Sequence, residues 1–144
     1  MEYVIIFVVI AFLIGTISFA APSKSSRNIS ALRIEASKLG FKISSSSIGK
    51  NLFKNKDLNN MIYQIKNISN LKEAHFIRDK DELILYSPLK LKYSNDYNEI
   101  QNELKNLSPY VLEIIFSNAS ISFIWKENKG LDELIKINSL LKNF

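Results

Sequence analysis

The side chains in this sequence that could move a proton or hold a metal are few and scattered. His75 is the single histidine, set between Ala74 and Phe76, with Asp79 and Asp81 close behind it. An imidazole steered by a carboxylate can act as a general base, so His75 with Asp79 or Asp81 is one reading. The expected one is a surface or edge-strand histidine beside aspartates that favour a turn for backbone reasons. Glu99 and Glu103 stand i, i+4 on a helical pattern and could form a carboxylate pair, but a solvated helix face explains the same spacing. Asp132 and Glu133 read as charges at a helix N-terminus.

What the chain lacks is more restrictive. It has no Cys and one His, which excludes a disulfide framework, a zinc-thiolate centre, a cysteine nucleophile, a lipidated cysteine and a multi-histidine metal site. Phosphate-loop, dinucleotide, H-E-x-x-H and G-x-S-x-G patterns are not present in the sequence. No catalytic residue, metal ligand or cofactor is therefore expected, and no small-molecule substrate is evident.

The elements that must carry these residues begin with an apolar run. From Tyr3 to Ala21, 16 of 19 residues are apolar and none is charged. A helix of that length spans about 28 Å, close to the hydrocarbon thickness of a bilayer, and lipid forces the backbone to satisfy itself helically. Residues 1–22 are thus expected to be a retained transmembrane anchor. A secretory signal cleaved after Ala20 is the competing reading, against which stand the missing basic n-region and the length of the apolar run. Ala11, Gly15 and Ser18 share a helix face, where small side chains could let two spans approach.

Charge is distributed unevenly. The chain carries 19 Lys+Arg against 14 Asp+Glu, a net +5. Residues 23–56 hold eight basic residues and one acid, Glu35, whereas residues 57–144 are nearly neutral. Basic residues flanking a span favour the cytoplasmic side, so the expected topology is a single-pass inner-membrane protein, N-terminus outside and domain in the cytoplasm. Lys24, Arg27, Arg33 and Lys38 are the candidate contacts to anionic headgroups. Nucleic acid is not an expected partner, since no recognised binding module accompanies the charge.

The soluble part reads as residues 23–56, a basic juxtamembrane helix, short strand and loop, and residues 57–144, the remainder of one domain. Ile29, Leu32, Ala36 and Leu39 predict an amphipathic helix over 25–39, capped by Ser25 or Ser26 and stopped by Gly40. It could pack into the domain or lie on the membrane. A short strand begins at Phe41, and Ser44 to Asn51 reads as a loop. Residues 60–65 are ambiguous but lean to strand, with Leu58 on the helical alternative. Strands over 73–78 and 82–87 flank a turn, and strands over 111–116 and 120–126 flank another. Helices are expected over 96–107, with Asp96 and Glu99 as a capping box, and over 131–142, with Leu131, Leu134, Ile135 and Leu141 buried and Asp132 pairing with Lys136. Strand pairs joined by tight turns imply an α+β fold: an N-terminal transmembrane helix, then a small, largely antiparallel sheet with about three helices. Trp125 alternates with Ile121 and Phe123, which suits the core; exposed, it would be a partner anchor.

The span, Ala21-Pro22-Ser23-Lys24, Leu32-Arg33, Leu39-Gly40 and the late Trp125-Lys126-Glu127 together resemble a group of uncharacterised small bacterial single-pass inner-membrane proteins, some labelled preprotein translocase subunit YajC. The resemblance implies a non-enzymatic accessory role at the membrane, protein export included, and assigns no catalytic residue. A membrane-anchored interaction or assembly subunit with a membrane-protein partner is the resulting expectation. The alternatives are a released domain and a carboxylate-based membrane-surface enzyme.

Overall fold

The computed structural model describes residues 1–46, 52–57 and 59–144. Helix α1, Glu2–Ala20, is long and apolar enough to cross a membrane and has no buried residue. Ala21 is extended and ends it. Helix α2, Lys24–Lys38, follows. Its cap is Ser23, whose Oγ accepts from the Ser26 amide at 3.1 Å, rather than Ser25 or Ser26. Gly40, at φ 95°, turns the chain out of the helix, a left-handed conformation that glycine adopts without strain. The Phe41 amide then reaches back to the Ala36 carbonyl.

The strands are β1 (Lys42–Ser45), β2 (Met61–Lys66), β3 (Ala74–Asp79), β4 (Glu82–Ser87), β5 (Val111–Phe116) and β6 (Ser120–Trp125). They form one antiparallel sheet in the order β1-β2-β6-β5-β3-β4. The ambiguous stretch is therefore a strand, as its β-branched residues favour. Leu58 and residues 47–51, most of the expected Ser-rich loop, lie outside the described residues. Two 3-10 turns were not legible in the sequence, Leu89–Tyr93 and Glu127–Lys129. Helices α3 (Tyr97–Asn106) and α4 (Leu131–Lys142) complete the domain.

Register explains the core. Ile43 pairs with Tyr63, Tyr63 with Phe123, Phe123 with Ile114, Ile114 with Phe76, and Phe76 with Leu85. One inward row thus crosses all six strands, and α2, α3 and α4 cover it through Leu32, Ala36, Leu104, Leu134, Ile137 and Leu141. Phe41, Tyr63, Phe123 and Trp125 pack ring to ring beneath α2, with centroids 5.7–6.0 Å apart. Helix α2 is consequently part of the domain: Leu32 and Ala36 are buried, so this face is not available to lie along a bilayer.

Four local expectations need correction. Asp96 makes no capping bond, because its backbone is already helical (φ −84°, ψ −4°) and its carboxylate is not aimed at the free amides. In α4 the buried face runs through Leu134, Ile137, Asn138 and Leu141, leaving Ile135 exposed, a rotation of the helix that an i, i+4 choice from Leu131 does not reveal. Lys136 lies 3.5 Å from Glu133, not against Asp132. Leu39, beyond the last helical residue, is also exposed.

Candidate functional site

The outward row of the sheet runs Ser44, Ile62, Ile124, Glu113, Ile77, Ile84 in direct register. A carboxylate in the middle of isoleucines requires both a geometric and an electrostatic account. The geometric one is a bulge: Val111 pairs with Trp125 but Glu113 with Ile124, so Leu112 is an extra residue. The bulge lets Val111, Ile114 and Phe116 all face the core while Glu113 faces out. Glu113 is nevertheless buried, at 1% exposure.

Its partners are fixed. The Lys54 amide donates to Oε1 at 2.7 Å and the Asn55 amide to Oε2 at 2.8 Å, so residues 52–57 cross this face as a strap. His75 Nε2 lies 2.6 Å from Oε1. Burial pushes the Glu113 carboxyl up, but the bonds from His75 and the two amides outweigh it and hold the group below the usual carboxylate range. His75 is buried in an interior strand rather than on a surface or edge, because β3 is flanked by both β4 and β5. Its carboxylate is Glu113 and not Asp79 or Asp81. The Tyr86 ring sits 5.0 Å from the imidazole, and a cavity of about 540 Å³ opens beside the pair, lined by Lys54, Lys72, Ser87 and Ser117 among others. The arrangement orients an imidazole, and it also ties a connecting segment to the sheet.

A second buried polar cluster joins α2 to the sheet. Arg33 donates from Nε and Nη2 to the two oxygens of Glu127, both at 2.7 Å. The Tyr63 hydroxyl donates to Glu127 Oε1 at 2.6 Å. The bond to Glu127 raises the Arg33 guanidinium further, against the opposing effect of burial. Burial, then the neighbouring carboxylate, raises the Tyr63 phenol. Sequence reading missed Glu113, Glu127 and Tyr63. A signal existed for the first, a lone charge inside Val111-Leu112-Glu113-Ile114-Ile115-Phe116.

The expected site residues are now placed. Lys24 and Arg27 lie exposed in the first turns of α2. Arg33 is committed to Glu127. Lys38 ends the same helix, about 21 Å from Lys24 at 1.5 Å per residue, with Glu35 at 2.7 Å. These four do not form one surface. Ala11 and Gly15 line a shallow groove on α1 with Phe12, Thr16 and Phe19, and the Ser18 hydroxyl donates to Ile14 of its own helix.

Trp125 is not an exposed anchor. It is 1% exposed and packs edge-on to Tyr63, because the bulged register turns it inward with Val111. Its indole Nε1 is buried without an acceptor among the described residues. Trp125→Phe therefore removes an unmatched donor as well as apolar area, and is expected to cost less than about 2 kcal/mol. A thermal melt followed by circular dichroism checks this.

Glu99 and Glu103 are solvent-exposed on α3. Among the described residues, no three His, Asp or Glu side chains converge as a metal centre requires. No known protein family, curated protein or solved structure matches this chain.

Proposed function

We propose that this chain is a membrane-anchored, non-enzymatic interaction or assembly subunit, holding its α+β domain at the cytoplasmic face of the inner membrane. The observation that carries the reading is the independence of α1. None of its residues is buried, and the core beneath α2, α3 and α4 closes without it. A helix of this length and composition that packs on nothing among the described residues is matched by hydrocarbon. The basic excess of residues 23–56 supports the cytoplasmic side. The proposed role is an accessory one, protein export among the possibilities, with lipids and a membrane protein as partners.

Two lysines in the span test the anchor. Val9→Lys with Phe12→Lys places two charges near the bilayer centre, each unfavourable by about 2.5–3.5 kcal/mol. The variant is expected in the soluble fraction after alkaline extraction, with Trp125 fluorescence unchanged, whereas the parent chain stays with the membrane. Mild-detergent crosslinking should then recover a defined membrane partner, and recovery of the chain alone in several detergents would overturn the interaction role. Intact mass separates this reading from a released domain, since retention requires Met1 and Glu2 in the mature chain. A reporter fused after Phe144 tests the sidedness.

A further inference from the structure

We propose that the end of the sheet where β6 terminates is a second membrane contact, a basic groove that docks on anionic phospholipid headgroups. The inference rests on α1 lying in a bilayer, as proposed above. Register brings the parts together. Trp125 ends β6 opposite Val111, where β5 begins, and Asp79 ends β3 opposite Glu82 of β4. The Lys80-Asp81 turn, the Pro109-Tyr110 entry to β5 and Lys126 therefore share one end. There they line a groove of about 590 Å³ with Lys54, Arg78 and an apolar floor of Ile77 and Leu112. Lys129 lies 4.6 Å over the Tyr110 ring at the same rim.

The groove carries more basic than acidic charge: Lys54, Arg78, Lys80 and Lys126 line it with Asp81 and Glu113, and Asp81 acts on Arg78. Arg78 spends its guanidinium on three backbone carbonyls, those of Val111, Asp81 and Ser108. Among the described residues Lys80, Lys126 and Lys129 form no ion pair, whereas the Lys54 ammonium turns away to the Tyr86 ring, 5.1 Å from its centroid. Of the two acids lining the groove, Glu113 is turned to the strap amides and His75.

The location selects the partner. Lys24, where α2 begins, lines one cavity with Glu127, Asn128 and Gly130, and Lys126, next in sequence, lines the basic groove. The chain thus enters the domain at the end that carries the groove. Only Ala21, Pro22 and Ser23 separate α1 from α2, and three extended residues reach about 10 Å. That distance is comparable to the screening length at physiological salt, about 8 Å. The cations lie where a negative leaflet acts on them, and an extended polyanion would have to enter the gap between domain and bilayer. Lys24 lies at the same end of the domain, whereas Arg33 is held by Glu127 and Lys38 by Glu35.

The absence of cysteine allows single labelling sites. Asn128→Cys marks the groove end and Asn118→Cys the opposite turn of the sheet. Each full-length chain, carrying a fluorophore, is placed in nanodiscs of phosphatidylcholine alone or mixed with phosphatidylglycerol, with a headgroup-quenching lipid. Quenching at position 128 is expected to rise with phosphatidylglycerol while position 118 stays unquenched. Lys126→Ala should lower the docked-to-undocked ratio about fivefold. High salt should abolish the rise in the unmutated groove, which keeps the test independent of any variant's folding. Incorporation with quenching indifferent to lipid charge overturns the docking alone, as does a phosphatidylglycerol-independent signal displaced by an oligonucleotide or acidic peptide. Failure to enter the disc overturns the anchor and, with it, this proposal.

Discussion

Glu113→Ala is expected to lower the stability of the full chain in mild detergent by about 3–5 kcal/mol, the range for removing one partner of a buried ionic cluster. The loss is large because one carboxylate serves three donors, the Lys54 and Asn55 amides and His75. Alanine leaves the buried His75 without its acceptor, frees the two part-buried strap amides and opens a void in the isoleucine row. Glu113→Gln keeps the shape and one acceptor, and should cost less. The pH dependence has a definite sign. The folded carboxyl titrates below its ordinary value of 4.5, so its stabilisation is fully present above that pH. It is lost as pH falls through the folded value. Urea midpoints from Trp125 fluorescence should fall with acidification, and Glu113→Gln should flatten the fall. Exchange at the Lys54 and Asn55 amides gives the local readout: it should accelerate in both variants before global unfolding does.

Glu127→Ala is expected to cost about 2–4 kcal/mol, and Arg33→Ala clearly less. The asymmetry follows from exposure: the Glu127 side chain is 10% exposed and that of Arg33 34%. A guanidinium released from its partner can turn to water, whereas the Tyr63 hydroxyl, on a residue with 0% exposure, cannot. Tyr63→Phe isolates that last contribution and should cost about 1.5–3 kcal/mol, the worth of a bond to a charged acceptor. Amide exchange along α2, at Leu32 and Ala36, should quicken most in Glu127→Ala. Equal costs for Glu127→Ala and Arg33→Ala would show that the hydroxyl is not part of the cluster. This cluster ties α2 to the sheet, so its loss should loosen that helix while leaving β3 to β5 paired.

How much of this was legible in the sequence depended on range. The six strands and four helices follow from spacing within ten or twelve residues, and that information is local. Ile121, Phe123 and Trp125 declare a strand face by alternation, and Gly40 and Gly130 mark helix boundaries. The α4 face is ambiguous by one position, since Leu131-Leu134-Ile135 and Leu134-Ile137-Leu141 are both apolar stripes and only packing on the sheet chooses between them. The candidate site was mostly illegible. Asp79 and Asp81 are the carboxylates near His75 in sequence, but its partner lies 38 positions away. Arg33 and Glu127 are 94 apart. Arg33 read as one more basic residue of the juxtamembrane cluster, and nothing in its neighbourhood signals that a distant carboxylate has claimed it. The bulge at Leu112 compounds the problem, because strict alternation would group Val111 with Glu113.

The strand order also constrains how the chain assembles during synthesis. Strand β2 borders β1 and β6, and β3 borders β4 and β5. The two early hairpins have no edge in common, and the last strands made, β5 and β6, fill the gap between them. Until residue 125 has left the ribosome, β1–β2 and β3–β4 wait as separate pieces with their inward faces uncovered. Such non-local pairing is slow to form and leaves apolar surface exposed meanwhile. Truncations that stop before β6 should therefore yield an unfolded, protease-sensitive chain and not a smaller version of the domain.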